Sequence, residues 1–340
     1  FVKTVKTDPV TLVKDTITNY IVHSTAYTNT SSQARTTQTR WKTFPGFTVK
    51  VGTNYNINSR NNVFINLGYL SKAPRFSNVF NFANKEALNT KNEIIEAIEV
   101  GYSYNSKKVA LNVNGYFTKW DNKPVDVLTT TTEGDNLPVN TVGINALHKG
   151  IEIEFGWKPI SSLQWDQVLA WGDWKWTSEV HDIGYDPTGT YSYNIDFNAK
   201  GVHVGDAAQF QFMESVRWEI IKYLYVSGSL TLFDKNYAQM DPNTLTATIV
   251  NKYGGVPPDS WKMPLYYLVD VNAGYRFIFK RFKLDVRASV MNLLDRAYIA
   301  DAKNNDGNSV SPNPNTFDAK SAGVFFGVGR TFNASIAISY

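Results

Sequence analysis

Alternation with a period of two runs through this chain. Phe47, Val49, Val51, Tyr55 and Ile57 alternate with Thr48, Lys50, Gly52, Asn54 and Asn56, and after "NSRNN" the pattern resumes at Val63, Ile65, Leu67 and Tyr69. Successive side chains of a strand point to opposite faces, so this pattern predicts strands with one apolar face, and the short polar break predicts a hairpin. Four more hairpins follow, 94–104 with 109–117, 151–157 with 163–171, 210–218 with 224–232, and 267–277 with 284–290. A last strand is predicted from about 324 to 340 and a weaker one around 12–28, about twelve in all.

The connections split by end. Those within hairpins, 58–62, 105–108, 159–162, 219–223 and 278–281, are tight; those between hairpins, 72–93, 119–149, 174–207, 234–265 and 293–322, are long. A β-sandwich or propeller shares the alternation but has no reason to trim one end only. A transmembrane barrel does, since its periplasmic turns are short and its extracellular loops long. Aromatics near strand ends, including Tyr55, Tyr69, Tyr102, Tyr104, Trp157, Trp165, Trp218, Tyr275 and Phe277, stand where interfacial girdles would lie. The expected fold is therefore all-β, a transmembrane antiparallel β-barrel. Glu96, Gln167 and Glu214 occupy the apolar parity, and a bulge around "FMESV" is expected to re-aim Glu214.

Composition sharpens this picture. The 20 Phe, 19 Tyr and 9 Trp make a 14% aromatic share. No run reaches the roughly 18 apolar residues of a membrane helix, which leaves strand-based crossing open, and a mean hydropathy of −0.29 is compatible with it. Net charge is +4, from 34 basic and 30 acidic residues without a basic block, so nucleic acid is not an expected partner. With no cysteine, disulfides and thiolate metal sites are excluded. The opening "FVKTVKTDPV" has neither an initiator Met nor a signal-peptide layout and reads as a mature chain or a fragment.

Several segments resemble one family. "NVFINLGYLSKAPRFSNVF" (62–80), "NEIIEAIEVGYSYNSKKVALNVNGYFTKWDNKPV" (92–125), "SVMNLLDRAYIADA" (289–302) and "GRTFNASIAISY" (329–340) are similar, in order, to signatures of TonB-dependent outer-membrane receptors. "KGVHVGDAAQFQF" and "LFDKNYAQMDP" resemble the Bacteroidetes-type versions. The resemblance implies a 22-stranded barrel with a plugged lumen, of which 1–340 would be the C-terminal part, without plug domain or TonB box. A self-contained twelve-stranded barrel is the other reading. The implied function is energised import of a scarce ligand, an iron chelate, vitamin or oligosaccharide. Its partners would be TonB-ExbB-ExbD through the absent N-terminal region, outer-membrane lipid and the barrel-assembly machinery. A receptor-like scaffold for surface lipoproteins is the alternative.

No catalytic motif is found, no Walker loop, GxSxG or HExxH, and neither enzyme activity nor a cofactor is expected. His23, His148, His181 and His203 are scattered and read as hydrogen-bonding loop residues. "NNDGNS" (304–309) is read as a turn rather than a calcium loop, because Ala302 stands at the first ligand position. Ligand contacts are expected from Trp174, Trp176, Tyr185, Tyr191 and Tyr193 in the aromatic segment 171–197, with Arg75 attracting an anion. Those rings could instead pack the loop or complete the girdle. Phe332, Ile336, Ile338 and Tyr340 are expected to face lipid, and the resemblance makes them part of the signal read during barrel assembly.

Overall fold

The computed structural model describes residues 4–7, 14–17, 19–22, 25–28, 39–80, 90–130, 136–185, 192–304 and 316–340. Two short ladders come first, β1 (Thr4–Thr7) with β2 (Lys14–Ile17) and β3 (Asn19–Val22) with β4 (Thr25–Thr28). The main sheet then runs through β5 (Thr48–Asn56), β6 (Asn61–Lys72), β7 (Glu93–Asn105), β8 (Val109–Thr130), β9 (Asn136–Ile160) and β10 (Leu163–Trp176). A separate hairpin of β11 (Glu179–Tyr185) and β12 (Ser192–Asn198) interrupts it. It resumes with β13 (Phe210–Ile221), β14 (Leu224–Asp234), β15 (Tyr266–Ile278) and β16 (Lys283–Met291). The loop ladder of β17 (Ile299–Lys303) and β18 (Gly323–Phe326) follows, and β19 (Thr331–Ser339) pairs back onto β16. Eleven strands thus form one antiparallel sheet in chain order, with β5 and β19 its edges among the described residues.

All five hairpin turns fall where the alternation breaks. Their chemistry is local: the Asn58 carboxamide oxygen accepts from the backbone N–H of Arg60 and Asn61 at 2.9 and 3.0 Å, and the Ser106 hydroxyl accepts from Val109 at 3.0 Å. The register keeps apolar residues beside one another, as in Val113, Ile153 and Leu169, or Val226, Ala273 and Ala288. That apolar face is uncovered: Val51, Leu67, Val100, Ile151, Trp218 and Ile336 are 36% exposed or more. A soluble sheet would bury it, so the face is built for a non-aqueous solvent. Near the turns Trp157 packs on Trp165 at 5.9 Å and Tyr275 on Phe277 at 4.5 Å, and near the loops Phe47 stacks on Tyr69 at 5.1 Å.

The buried cores lie elsewhere, at the loop end. Ile144, Ala146 and Trp176 on β9 and β10 are covered by Val202, Val204 and Leu245 from the connections. A smaller core gathers Ala238, Met263 and Ala302.

The polar face has its own packing rule, an aromatic laid over a glycine on the next strand. Phe64 lies opposite Gly101, Tyr116 opposite Gly150 and Tyr225 opposite Gly274. A Cβ on Gly274 would stand 2.5 Å from the Tyr225 ring. Gly274→Val should therefore displace Tyr225, over which the Arg217 guanidinium sits at 3.5 Å, and lower stability by about 1–3 kcal/mol. Gly115→Ala is the control: its Cβ would meet nothing nearer than 3.9 Å. Equal denaturation midpoints for the two variants would contradict this account.

Four expectations are corrected. The weak strand at 12–28 is not part of the main sheet; its described residues form β2, β3 and β4. The segment 119–149 is mostly strand, because β8 and β9 climb together above the apolar band. The terminal strand splits, β18 pairing with β17 and β19 with β16, with Gly327 and Gly329 between them. Finally, β13 holds regular register through Glu214, opposite Gln167 and Leu230, and its irregularity falls between Glu219 and Ile221. Glu214 thus keeps the apolar parity. Glu96, also on that parity, has Lys119 at 3.8 Å.

Candidate functional site

Above the apolar band, the polar face of β8, β9 and β10 carries a row of rings. Register places Thr118, His148 and Trp174 side by side, with Trp120, Ala146 and Trp176 in the next rank. The His148 imidazole sits between Trp120 at 6.2 Å and Trp174 at 5.5 Å. Trp174 is fixed from two sides: its indole N–H donates to the Tyr116 hydroxyl at 2.8 Å, and its backbone N–H donates to the Gln209 carboxamide at 2.8 Å. Gly150 and Gly172 leave the room that Tyr116 and Trp174 occupy.

A bulge completes the site. Pairing passes from Trp120 opposite Ala146 to Lys123 opposite Ile144, three steps on β8 against two on β9. Asn122 takes up the extra residue at φ 58°, a conformation Asn tolerates. Its backbone N–H donates to the Asn145 carboxamide at 3.1 Å and its own carboxamide donates to the Asn92 carbonyl at 3.2 Å. In unbroken alternation Lys123 would point to the apolar face. The extra residue turns it onto the face of Trp120, its ammonium 4.5 Å from that ring and 5.5 Å from Trp176.

Electrostatics follow from this crowding. Burial lowers the pKa of Lys123, against the attraction of Asp206 and Glu93. Burial and then the Lys123 charge push His148 down to about 4, so its ring is neutral at pH 7. Beside them Lys72 reaches both oxygens of the buried Glu93 at 3.2 Å, and the Trp120 indole donates to that carboxylate at 3.3 Å. Flat rings, a neutral imidazole and two ammonium groups can stack on a planar ligand and attract its negative charge. Among the described residues no group of three or more His, Asp or Glu could hold a metal ion.

The predicted contacts are dispersed. Trp174 and Trp176 lie on β10 rather than in a loop; Trp174 is half-buried in the ring row and Trp176 is buried, its indole nitrogen without a partner. Tyr185 and Tyr193 belong to the β11–β12 ladder, opposite Ser192 and Gly184, while Tyr191 lies outside the described residues. Arg75 is exposed before the one-turn helix α1 (Phe76–Val79), its carbonyl accepting from Asn78 at 2.9 Å. Phe332, Ile336 and Ile338 stand opposite Val290, Val286 and Leu284 on the apolar face, and Tyr340 follows β19 fully exposed. Of the histidines expected to be hydrogen-bonding loop residues, His203 contacts Asp259 at 2.6 Å and His181 contacts Asp196 at 3.0 Å, but His181 lies on β11 and His148 lies on β9 between two tryptophan rings, so for these two the loop placement is corrected. His23 and residues 305–309 lie outside the described residues. Lys72, Glu93, Trp120 and Lys123 escaped the sequence reading. The one signal was "DN" at 121–122, a turn-forming pair set inside an otherwise strand-like run.

Comparisons agree with this architecture. No match is found among curated proteins. The sheet is similar to solved structures at low identity, among them the following three. For the copper transporter OprC the TM-score is 0.59 at 16% identity, over 84% of this chain and 39% of that one. For the ferric yersiniabactin uptake receptor FyuA from Yersinia pestis it is 0.56 at 17%, over 86% and 37%. For the siderophore receptor PiuA from Acinetobacter baumannii it is 0.55 at 12%, over 85% and 35%. The chain thus spans well under half the length of these structures. Over residues 18–293 it matches the family model described as TonB dependent receptor-like, beta-barrel, and with the unequal ends and uncovered apolar face of its sheet the conclusion is plain: this chain belongs to the TonB-dependent receptor β-barrels of the outer membrane.

Proposed function

We propose that the eleven strands are part of the wall of a larger barrel that imports a flat, anionic metal chelate across the outer membrane. TonB-ExbB-ExbD would drive the transport from the proton gradient. The observation that carries this reading is Lys123, turned by the bulge onto the polar, lumenal face above Trp120 and beside His148 and Trp174. Stacking rings would serve a sugar as well as a chelate, but the half-buried Lys123 ammonium, 4.5 Å from the Trp120 ring, adds a cation that only an anionic ligand can pair with, alongside Asp206 and Glu93. That two structural relatives are described as a siderophore receptor and a ferric yersiniabactin uptake receptor supports the chelate. Trp174 and Trp176 would shape the row, and Tyr185, Tyr191, Tyr193 and Arg75 would meet the ligand on its way in.

Lys123→Gln keeps the stem and removes the charge. Chelate binding, followed by quenching of tryptophan fluorescence, should weaken about tenfold, or about 1.4 kcal/mol, while the denaturation midpoint holds. Uptake of radiolabelled iron by cells should fall in parallel. A deletion strain with unchanged uptake of every iron and carbon source would overturn the transport reading, and a simultaneous loss of surface lipoprotein would replace it with the scaffold.

A further inference from the structure

The outer face carries a second feature that import does not use. Along β7 to β10 the apolar rank Val100, Gly115, Ile151 and Trp171 gives way within one rank to Phe117, Lys149 and Asp173. Gly115 has no side chain, so a groove of about 680 Å³ opens between Val100, Phe117, Ile151 and Trp171. Its walls are 45–56% exposed, by Phe117 and Trp171 at the two limits, and they face the same side as the lipid-facing strands.

Cations ring its upper end. Lys149 and Lys175 share one carboxylate, Asp173, at 3.3 and 3.2 Å, and Lys235 sits 5.2 Å over the Trp171 ring. The other acids nearby are taken: Asp234 holds Lys262 at 2.7 Å and Asp259 holds His203 at 2.6 Å. Three lysines against one carboxylate leave a formal excess of positive charge. Residues two apart on one strand are about 7 Å apart along it, so Lys175 stands two ranks and Lys149 one rank above the apolar floor. The nearer rank is at the distance from an acyl chain to its headgroup.

We infer that this groove binds a phosphorylated lipid of the outer leaflet, one acyl chain lying over Gly115 and the phosphate held by Lys149, Lys175 and Lys235. A free phosphate would have no use for the apolar floor, and an uncharged lipid none for the lysines. The site lies on the opposite face from the ring row, so it stands or falls independently of the transported ligand.

Native mass spectrometry of the protein purified from outer membranes and stripped of lipid tests this, with bisphosphorylated lipid A and its dephosphorylated form as probes. The wild type should retain one lipid A, at least tenfold more tightly than the dephosphorylated form. The double substitution Lys149→Gln with Lys235→Gln should lose that preference. Gly115→Leu, whose Cβ has room because the nearest atoms are backbone oxygens at 3.9 and 4.0 Å, should fill the groove and weaken retention about tenfold. Heat-dependent gel mobility reports that each variant is folded. Equal retention of the two lipids, or retention by folded Gly115→Leu undiminished from wild type, would overturn the inference and leave only general attraction of a basic belt.

Discussion

Asn292→Ala is expected to lower stability by about 3–5 kcal/mol, near the upper end for a single substitution. Asn292 is 4% exposed and holds the end of β16 with both ends of its carboxamide. The oxygen accepts from the Arg296 backbone at 2.9 Å; the nitrogen donates to the carbonyls of Arg296 at 2.9 Å and Val328 at 3.3 Å. Its own backbone N–H donates to Asp270 on β15 at 2.8 Å. The residue adopts φ 49°, the left-handed region that Asn tolerates better than Ala. Removing the carboxamide takes away the acceptor of the Arg296 backbone N–H and the donor to two carbonyls, and raises the cost of the turn itself.

The same turn explains why a motif occurs there. Asp295 accepts from the Arg330 backbone N–H at 2.9 Å, the Tyr298 carbonyl accepts from Gly327 at 2.9 Å, and the Tyr298 ring stacks on Tyr266 at 4.6 Å. Asn292, Asp295 and Tyr298 therefore bind the end of β16 to the chain entering β19. Asn292→Asp should be as damaging as Ala, because a carboxylate would replace the donor that faces two carbonyls. Asn333→Ala, whose carboxamide meets only the Met291 sulfur at 3.8 Å, should change little. The readout is the guanidinium midpoint of the protein refolded in bilayers, and a shift for Asn292→Ala no larger than for Asn333→Ala would refute the latch.

What could be read in the sequence followed from periodicity and failed where periodicity failed. The five turns and the apolar parity of β5 to β10 and β13 to β16 needed only alternation between polar breaks. The ring row could not be found that way: beyond Phe117 the rank Lys119, Asp121 on one parity and Trp120, Asn122 on the other has no apolar face, so the segment resembled a loop. Its strand form comes from long-range pairing with 136–148, and the bulge at Asn122 then reverses the parity on which a reading of Lys123 would rest. The split of the terminal strand was hidden for a similar reason. Val324, Phe326 and Val328 keep the parity of Phe332, yet Asn292 and Asp295 bind the residues between and send the two halves to different partners.

A depth series of arginine substitutions on β9 should give the other large effect and test the assignment of the apolar face. Ile153 lies between Ile151, at the level where charged residues begin, and Trp157, in the ring pair near the turns. At about 3.3 Å per residue along a tilted strand, Ile153 and Phe155 sit in the middle of the apolar band. Ile153→Arg should cost about 2–4 kcal/mol in a bilayer, whereas Ile151→Arg, one rank from Lys149 and the headgroups, should cost about 0–1 kcal/mol. Glu154→Arg, on the polar face beside Asn112 at 3.1 Å, should cost no more than an ordinary surface change of about 0.5 kcal/mol. A water-excluded protein core has no midplane, so it would penalise arginine by local burial, with no systematic fall toward one rim. Unfolding from bilayers of two thicknesses separates the cases: the cost at Ile153 should rise in the thicker bilayer while the cost at Glu154 stays fixed. If neither depends on thickness, the face meets protein rather than lipid, because only a lipid solvent makes the distance to water a variable of the membrane.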